Sequence, residues 1–116
     1  MSNIPINLLQ ETINVLNVHG KSLEDVKWVG TYNLAIPIEQ FLELADVEYN
    51  NGYGGEEVYT NLLVVGNNWW LERGTYDGSE WWEFKQLPKK PKKIGKVLGI
   101  IRDQDEDIQW EGLKTI

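Results

Sequence analysis

The chain has 116 residues, room for one domain, and its 41% apolar and 25% charged content is that of an ordinary globular protein. It has no cysteine, which excludes a disulfide scaffold, a thiolate metal site and a cysteine nucleophile. The formal net charge of -7 is uneven: residues 1–88 set four cations (Lys21, Lys27, Arg73, Lys85) against thirteen carboxylates, residues 89–96 hold five lysines and no acid, and residues 97–116 hold two cations and five acids.

Met1-Ser2-Asn3-Ile4-Pro5 offers no basic n-region and no long apolar run, so neither a signal peptide nor a membrane span is expected, and the cytoplasm is the default compartment. Ile6, Leu9, Ile13 and Leu16 share one face, flanked by Leu8 and Val15, which predicts a helix over 6–18. Pro5 suits its first turn and Gly20 its stop after His19. Ser22 with Asp25 is a capping-box pattern for one helical turn, and residues 26–29 read as a strand ended by Gly30. Pro37 opens a second helix over 37–46, with Ile38, Phe41, Leu42 and Ala45 inward. Asn50-Asn51-Gly52-Tyr53-Gly54-Gly55 is a sharply turning loop, and Glu56-Glu57-Val58 can start a helical turn.

Residues 62–65 form the next expected strand. Trp69–Tyr76 and Ser79–Gln86 are two aromatic-rich strands around Asp77-Gly78, a type I′ hairpin signal. Pro88 and Pro91 end the sheet and open the basic stretch 89–96, read as a linker or as a strap folding back on the acidic surface. Residues 97–101 suit an edge strand or a docked tail, and the acidic run 103–107 a solvated end before Trp110. The expected fold is therefore α+β: an antiparallel sheet of three or four strands (26–29, 62–65, 69–76, 79–86) packed against two helices, in one domain over 1–88 followed by linker 89–96 and tail 97–116.

A two-residue loop at Asp77-Gly78 sets the hairpin register: Tyr76 opposite Ser79, Gly74 opposite Trp81, Arg73 opposite Trp82, Glu72 opposite Glu83, and Leu71 opposite Phe84. One face then carries Trp69, Leu71, Arg73, Trp82 and Phe84, the natural core side, with Arg73 stacked on Trp82 near its rim. The other carries Trp70, Glu72, Tyr76, Trp81, Glu83 and Lys85. It sets two carboxylates opposite each other, which costs stability, and turns two tryptophans to solvent. Two readings are open. The face is a recognition surface of rigid aromatic anchors ringed by charge, or the N-terminal helix or segment 97–101 covers it.

Other patterns carry less chemistry. Glu72 and Glu83 between tryptophans have the spacing of a retaining glycosidase pair, but a domain this small rarely builds the cleft, and no enzyme activity is expected. His19, the sole histidine, makes neither a metal site nor a catalytic triad; it suits a helix C-terminus. The Gly52–Gly55 loop precedes Glu56 and Glu57, which repel phosphate, and lacks a P-loop lysine. No metal or cofactor is expected.

Leu63-Val64-Val65-Gly66, Trp69-Trp70-Leu71-Glu72-Arg73 and Tyr76-Asp77-Gly78-Ser79-Glu80-Trp81-Trp82-Glu83-Phe84-Lys85, closing in Pro88 and Pro91, resemble a family of small proteins encoded by phages and prophages of Gram-positive bacteria. Ser22-Leu23-Glu24-Asp25-Val26, Ile36-Pro37 and Gly52-Tyr53-Gly54 match the same layout, so the resemblance runs over residues 7–91; the segment after Lys93 departs from it. The resemblance implies a phage accessory protein and supplies no activity. Small acidic phage proteins are often inhibitors of host nucleic-acid machinery, anti-restriction and anti-CRISPR proteins among them. The expectation is a non-enzymatic inhibitor of a host nucleic-acid-acting defence protein, binding through Trp70, Glu72, Tyr76, Glu80, Trp81, Glu83 and Lys85, with no direct contact to nucleic acid or membrane. The alternative is a module stacking a sugar, base or nucleotide on its tryptophans.

Overall fold

The computed structural model describes residues 5–52, 54–96 and 99–100. The fold is α+β. Its elements in chain order are β1 (Ile6–Asn7), α1 (Leu8–Val18), a 3₁₀ turn (Leu23–Asp25), β2 (Trp28–Gly30), β3 (Ala35–Ile36), α2 (Ile38–Ala45), β4 (Glu48–Tyr49), β5 (Leu63–Val65), β6 (Trp69–Tyr76) and β7 (Ser79–Gln86). β3-β2-β5-β6-β7 form one antiparallel sheet of five strands, and β1-β4 a separate ribbon. The fifth strand of the sheet, β3, is two residues long and was not among the strands expected. It forms because the chain doubles back after Gly30, pairing Val29 with Ile36 and Gly30 with Ala35.

Helix α1 starts later than the Pro5 signal implies. Asn7 is its N-cap, its side-chain oxygen accepting the Gln10 N–H at 2.8 Å, while Ile6 and Asn7 pair with Tyr49 and Glu48. At the other end Gly20 has φ +73, and the Lys21 and Gly20 N–H groups donate to the carbonyls of Leu16 and Asn17, a Schellman closure. The Asp25 carboxylate accepts the Ser22 N–H at 2.9 Å, so the expected single turn is there as a 3₁₀ turn. Glu56–Val58 is not helical. The N–H groups of Glu57 and Val58 are instead taken by the Glu80 carboxylate.

Both helices lie on one face of the sheet, in a two-layer arrangement. The core between them is built from Leu8, Leu16, Val26, Val29, Phe41, Ala45, Tyr49, Val64, Trp69, Leu71 and Trp82. Trp82 donates its indole N–H to Thr12 Oγ1 at 2.9 Å, and that hydroxyl donates to the Leu8 carbonyl, so the one polar side chain buried on this stripe of α1 is satisfied. Phe84 stacks on His19, ring centroids 4.0 Å apart, which locks the end of α1 onto β7.

The turn forms as its sequence predicts. Asp77 and Gly78 take φ of 52 and 86, and Tyr76 pairs with Ser79. Every expected cross-strand pair is present through Trp69 opposite Gln86. Residues 89–96 form no helix or strand and are exposed, and their lysines make no ion pair among the described residues, so the strap does not fold back on the acidic body there. Most of the expected segment 97–101, and the run 103–107, lie outside the described residues. No helix is long and apolar enough to cross a membrane, among the described residues.

Candidate functional site

The register places the hairpin's outer side chains in rows running across the sheet. Trp28, Val65, Trp70 and Lys85 form one row; Gly30, Leu63, Glu72 and Glu83 the next; then Gly74 beside Trp81, and Tyr76 beside Ser79 at the tip. Helix α1 does not cover this face, since its contacts run to Trp82 and Phe84 on the other side. Six of the seven side chains expected at a recognition surface are brought together here: Trp70, Glu72, Tyr76, Trp81, Glu83 and Lys85.

The geometry within the rows is specific. Each carboxylate accepts from the tryptophan two residues before it on its own strand: Trp70 Nε1 to Glu72 Oε1 at 2.7 Å, and Trp81 Nε1 to Glu83 Oε2 at 3.1 Å. Two residues apart on a strand means the same face, so each indole lies along the sheet and its polar edge reaches its own carboxylate. Lys85 Nζ sits 3.6 Å from Glu83 Oε1. The like charges of Glu72 and Glu83 are thus tempered by two indole dipoles and one ammonium. Both tryptophans are half-buried, while the side chains of Glu83 and Lys85 keep 37% and 46% of their exposure. Gly74 makes room for this. A Cβ there would stand 2.6 Å from Trp81 Nε1 and 2.5 Å from Glu83 Oε2, so the absence of a side chain lets the indole lie flat across β6. Leu63 is 5% exposed yet outside the main core cluster, because the register puts it on the outer face, beside Glu72. Tyr76 stands out at the tip, 76% exposed.

Glu80 corrects the expectation. It pairs with Thr75 on the inner face and is 2% exposed, so it offers nothing to a partner. Its carboxylate accepts the N–H groups of Glu57 (2.6 Å) and Val58 (3.1 Å) and an Arg73 Nη2 hydrogen bond at 3.0 Å. Arg73 is likewise not at a rim but enclosed, its guanidinium over the Trp82 ring at 4.7 Å and the Tyr49 ring at 5.7 Å. Nη2 also donates to Tyr49 Oη, which donates to Glu11 Oε1. Burial pushes the Glu11 carboxyl above its ordinary range, against the lowering effect of the Tyr49 hydrogen bond and the Arg73 charge. Tyr49 is pushed upward too, first by burial and then by its hydrogen bond to Glu11. The four side chains tie α1, β4, the loop around 57–58 and the hairpin into one buried network.

Two features escaped the sequence reading. Trp28 joins the outer face as a third, half-buried tryptophan, and the alternation Trp28-Val29 was the available signal, since Val29 is core. The Glu11–Tyr49–Arg73–Glu80 network had no signal, because its members lie 7 to 38 residues apart in sequence along each bond. Among the described residues no three His, Asp or Glu side chains converge on a point where a metal ion would sit. Comparison with family models, curated proteins and solved structures finds no match for this chain.

Proposed function

We propose that this chain is a non-enzymatic binding protein that covers a basic surface of a partner protein with the outer face of its hairpin. The observation that carries the reading is the pair Glu72 and Glu83. Two carboxylates face each other across a strand pair, partly open to solvent, each held in place by an indole N–H. That arrangement costs folding energy and gains value only when cations arrive. The tryptophans beside it supply large, rigid contact area of the kind that dominates interface energetics. The acidic body around it steers a basic partner by long-range attraction.

Taken with the resemblance to phage and prophage proteins, the partner is a host nucleic-acid-acting protein of anti-phage defence, whose phosphate-binding channel the carboxylates occupy in place of nucleic acid. The test is capture of partners by the tagged full chain from a Gram-positive host lysate at low and high salt, repeated with W81A and with E72Q/E83Q. The expected result is one stoichiometric partner with a nucleic-acid channel, released by salt and lost in both variants. Salt-independent capture, or capture that survives both variants, overturns it.

A second reading, stacking of a sugar, base or nucleotide, is favoured by the row that sets Trp28 and Trp70 on one face either side of Val65. Tryptophan fluorescence that responds to such ligands, with no protein captured, would favour it.

A further inference from the structure

We propose that β7 pairs with the β7 of a second copy, joining two five-stranded sheets into one across a two-fold axis at Phe84. β7 is the sheet's long outer strand, and the other edge, β3, has only two residues. A long edge strand is a template for strand addition along whatever stretch of it is not blocked.

The available stretch can be defined from the backbone. In a two-residue hairpin the closing pair, Tyr76 and Ser79, is hydrogen-bonded, and alternate residues of β7 then turn toward β6 or away from it. Two bonds fix the phase: Leu87 N–H donates inward to the Asn68 carbonyl, and Glu80 N–H donates outward to the Asn51 carbonyl. Trp82, Phe84 and Gln86 therefore aim their N–H and C=O groups at the open edge, and no backbone partner meets them among the described residues. The open stretch is bounded by Glu80, which Asn51 already caps, and by Pro88, which has no N–H. Its midpoint is Phe84.

An antiparallel pair of β7 strands centred on Phe84 sets Phe84 opposite Phe84 and Trp82 opposite Gln86, the residues whose backbone groups face outward. On the outer face it sets Glu83 opposite Lys85 twice and Trp81 opposite Leu87 twice. Leu87 is an apolar side chain left 55% exposed. Sliding the register by two residues either way, which keeps the backbone groups matched, brings Glu83 against Glu83 or Lys85 against Lys85. Charge thus selects the centred register, and the contact is isologous and closed, as two-fold pairs require. The two tryptophan faces then lie on the same side of a continuous sheet. This inference does not depend on the partner-binding reading.

The experiment is sedimentation of the full chain across a concentration series, with E83K, K85E and the exchanged E83K/K85E variant, each checked for native circular dichroism. The wild type should reach twice the 13.4 kDa chain mass. Each single variant sets like charges opposite twice per pair and should weaken association about tenfold or more, and the exchange should restore it. Q86P, which removes one outward N–H and leaves the inner ladder intact, should also weaken it. A chain that stays monomeric at every concentration, a dimer indifferent to both single changes, or an exchange that restores nothing overturns the proposal.

Discussion

The two faces of one hairpin treat their carboxylates in opposite ways. Inside, Glu80 is enclosed and answered by a guanidinium and two backbone N–H groups. Outside, Glu72 and Glu83 are answered by indole N–H groups and one lysine, and half-open to water. The inner carboxylate is a structural bolt between the hairpin and the loop around Glu57 and Val58. The outer pair serves no comparable internal contact. Removing charge should therefore damage the fold on one side and spare it on the other.

The largest effect should come from Arg73. R73A leaves Glu80 buried without its cation and removes a flat group from between the Trp82 and Tyr49 rings. Breaking a buried pair from one side costs about 3–5 kcal/mol, and urea denaturation should show a loss of that order. A variant within about 1 kcal/mol of wild type, on the order of a surface substitution, would mean that water and the Glu57 and Val58 N–H groups already compensate Glu80, and the contrast between the faces would shrink.

A much smaller and opposite effect is expected outside. E72Q/E83Q keeps an oxygen acceptor for each indole and removes the repulsion between opposed charges. Stability should stay level or rise by about 0.2–1 kcal/mol. A clear loss in the same urea experiment would show that the carboxylates hold the tryptophans in place, and would move the outer pair into the structural class with Glu80.

This contrast also marks what the sequence made legible. The hairpin register was readable because Asp77-Gly78 is a local signal and alternation does the rest. The same alternation assigns Glu80 to the Arg73 side, yet a carboxylate there counts as surface until a loop more than twenty residues upstream folds over it. Long-range hydrogen bonds leave no local pattern. Helix α1 shows the converse: Pro5 is a good local start signal, but pairing of Ile6 and Asn7 with β4 competes for those residues and wins. The outer face was legible except for Trp28: its strand was expected, but the pairing that sets Trp28 beside Val65 and in the Trp70 row is long-range and leaves no local signal.

The smallest effect concerns pH and the rim of the inner network. Glu11 keeps 14% of its side-chain exposure, and its carboxyl is raised above the ordinary carboxylate range chiefly by burial. A carboxyl raised on folding binds its proton more tightly in the native chain than in the unfolded one. Its contribution is therefore full below the ordinary carboxylate range and is lost as pH rises through the elevated native value. In E11Q, where Tyr49 can still donate to an amide oxygen, that loss should disappear. Urea midpoints taken in steps from about pH 4 to about pH 7 should converge at the acid end and diverge in favour of E11Q toward neutrality. Parallel curves would place the charged form of Glu11 in balance with Arg73, making it a second full partner of the guanidinium rather than a carboxylate held at its edge by Tyr49.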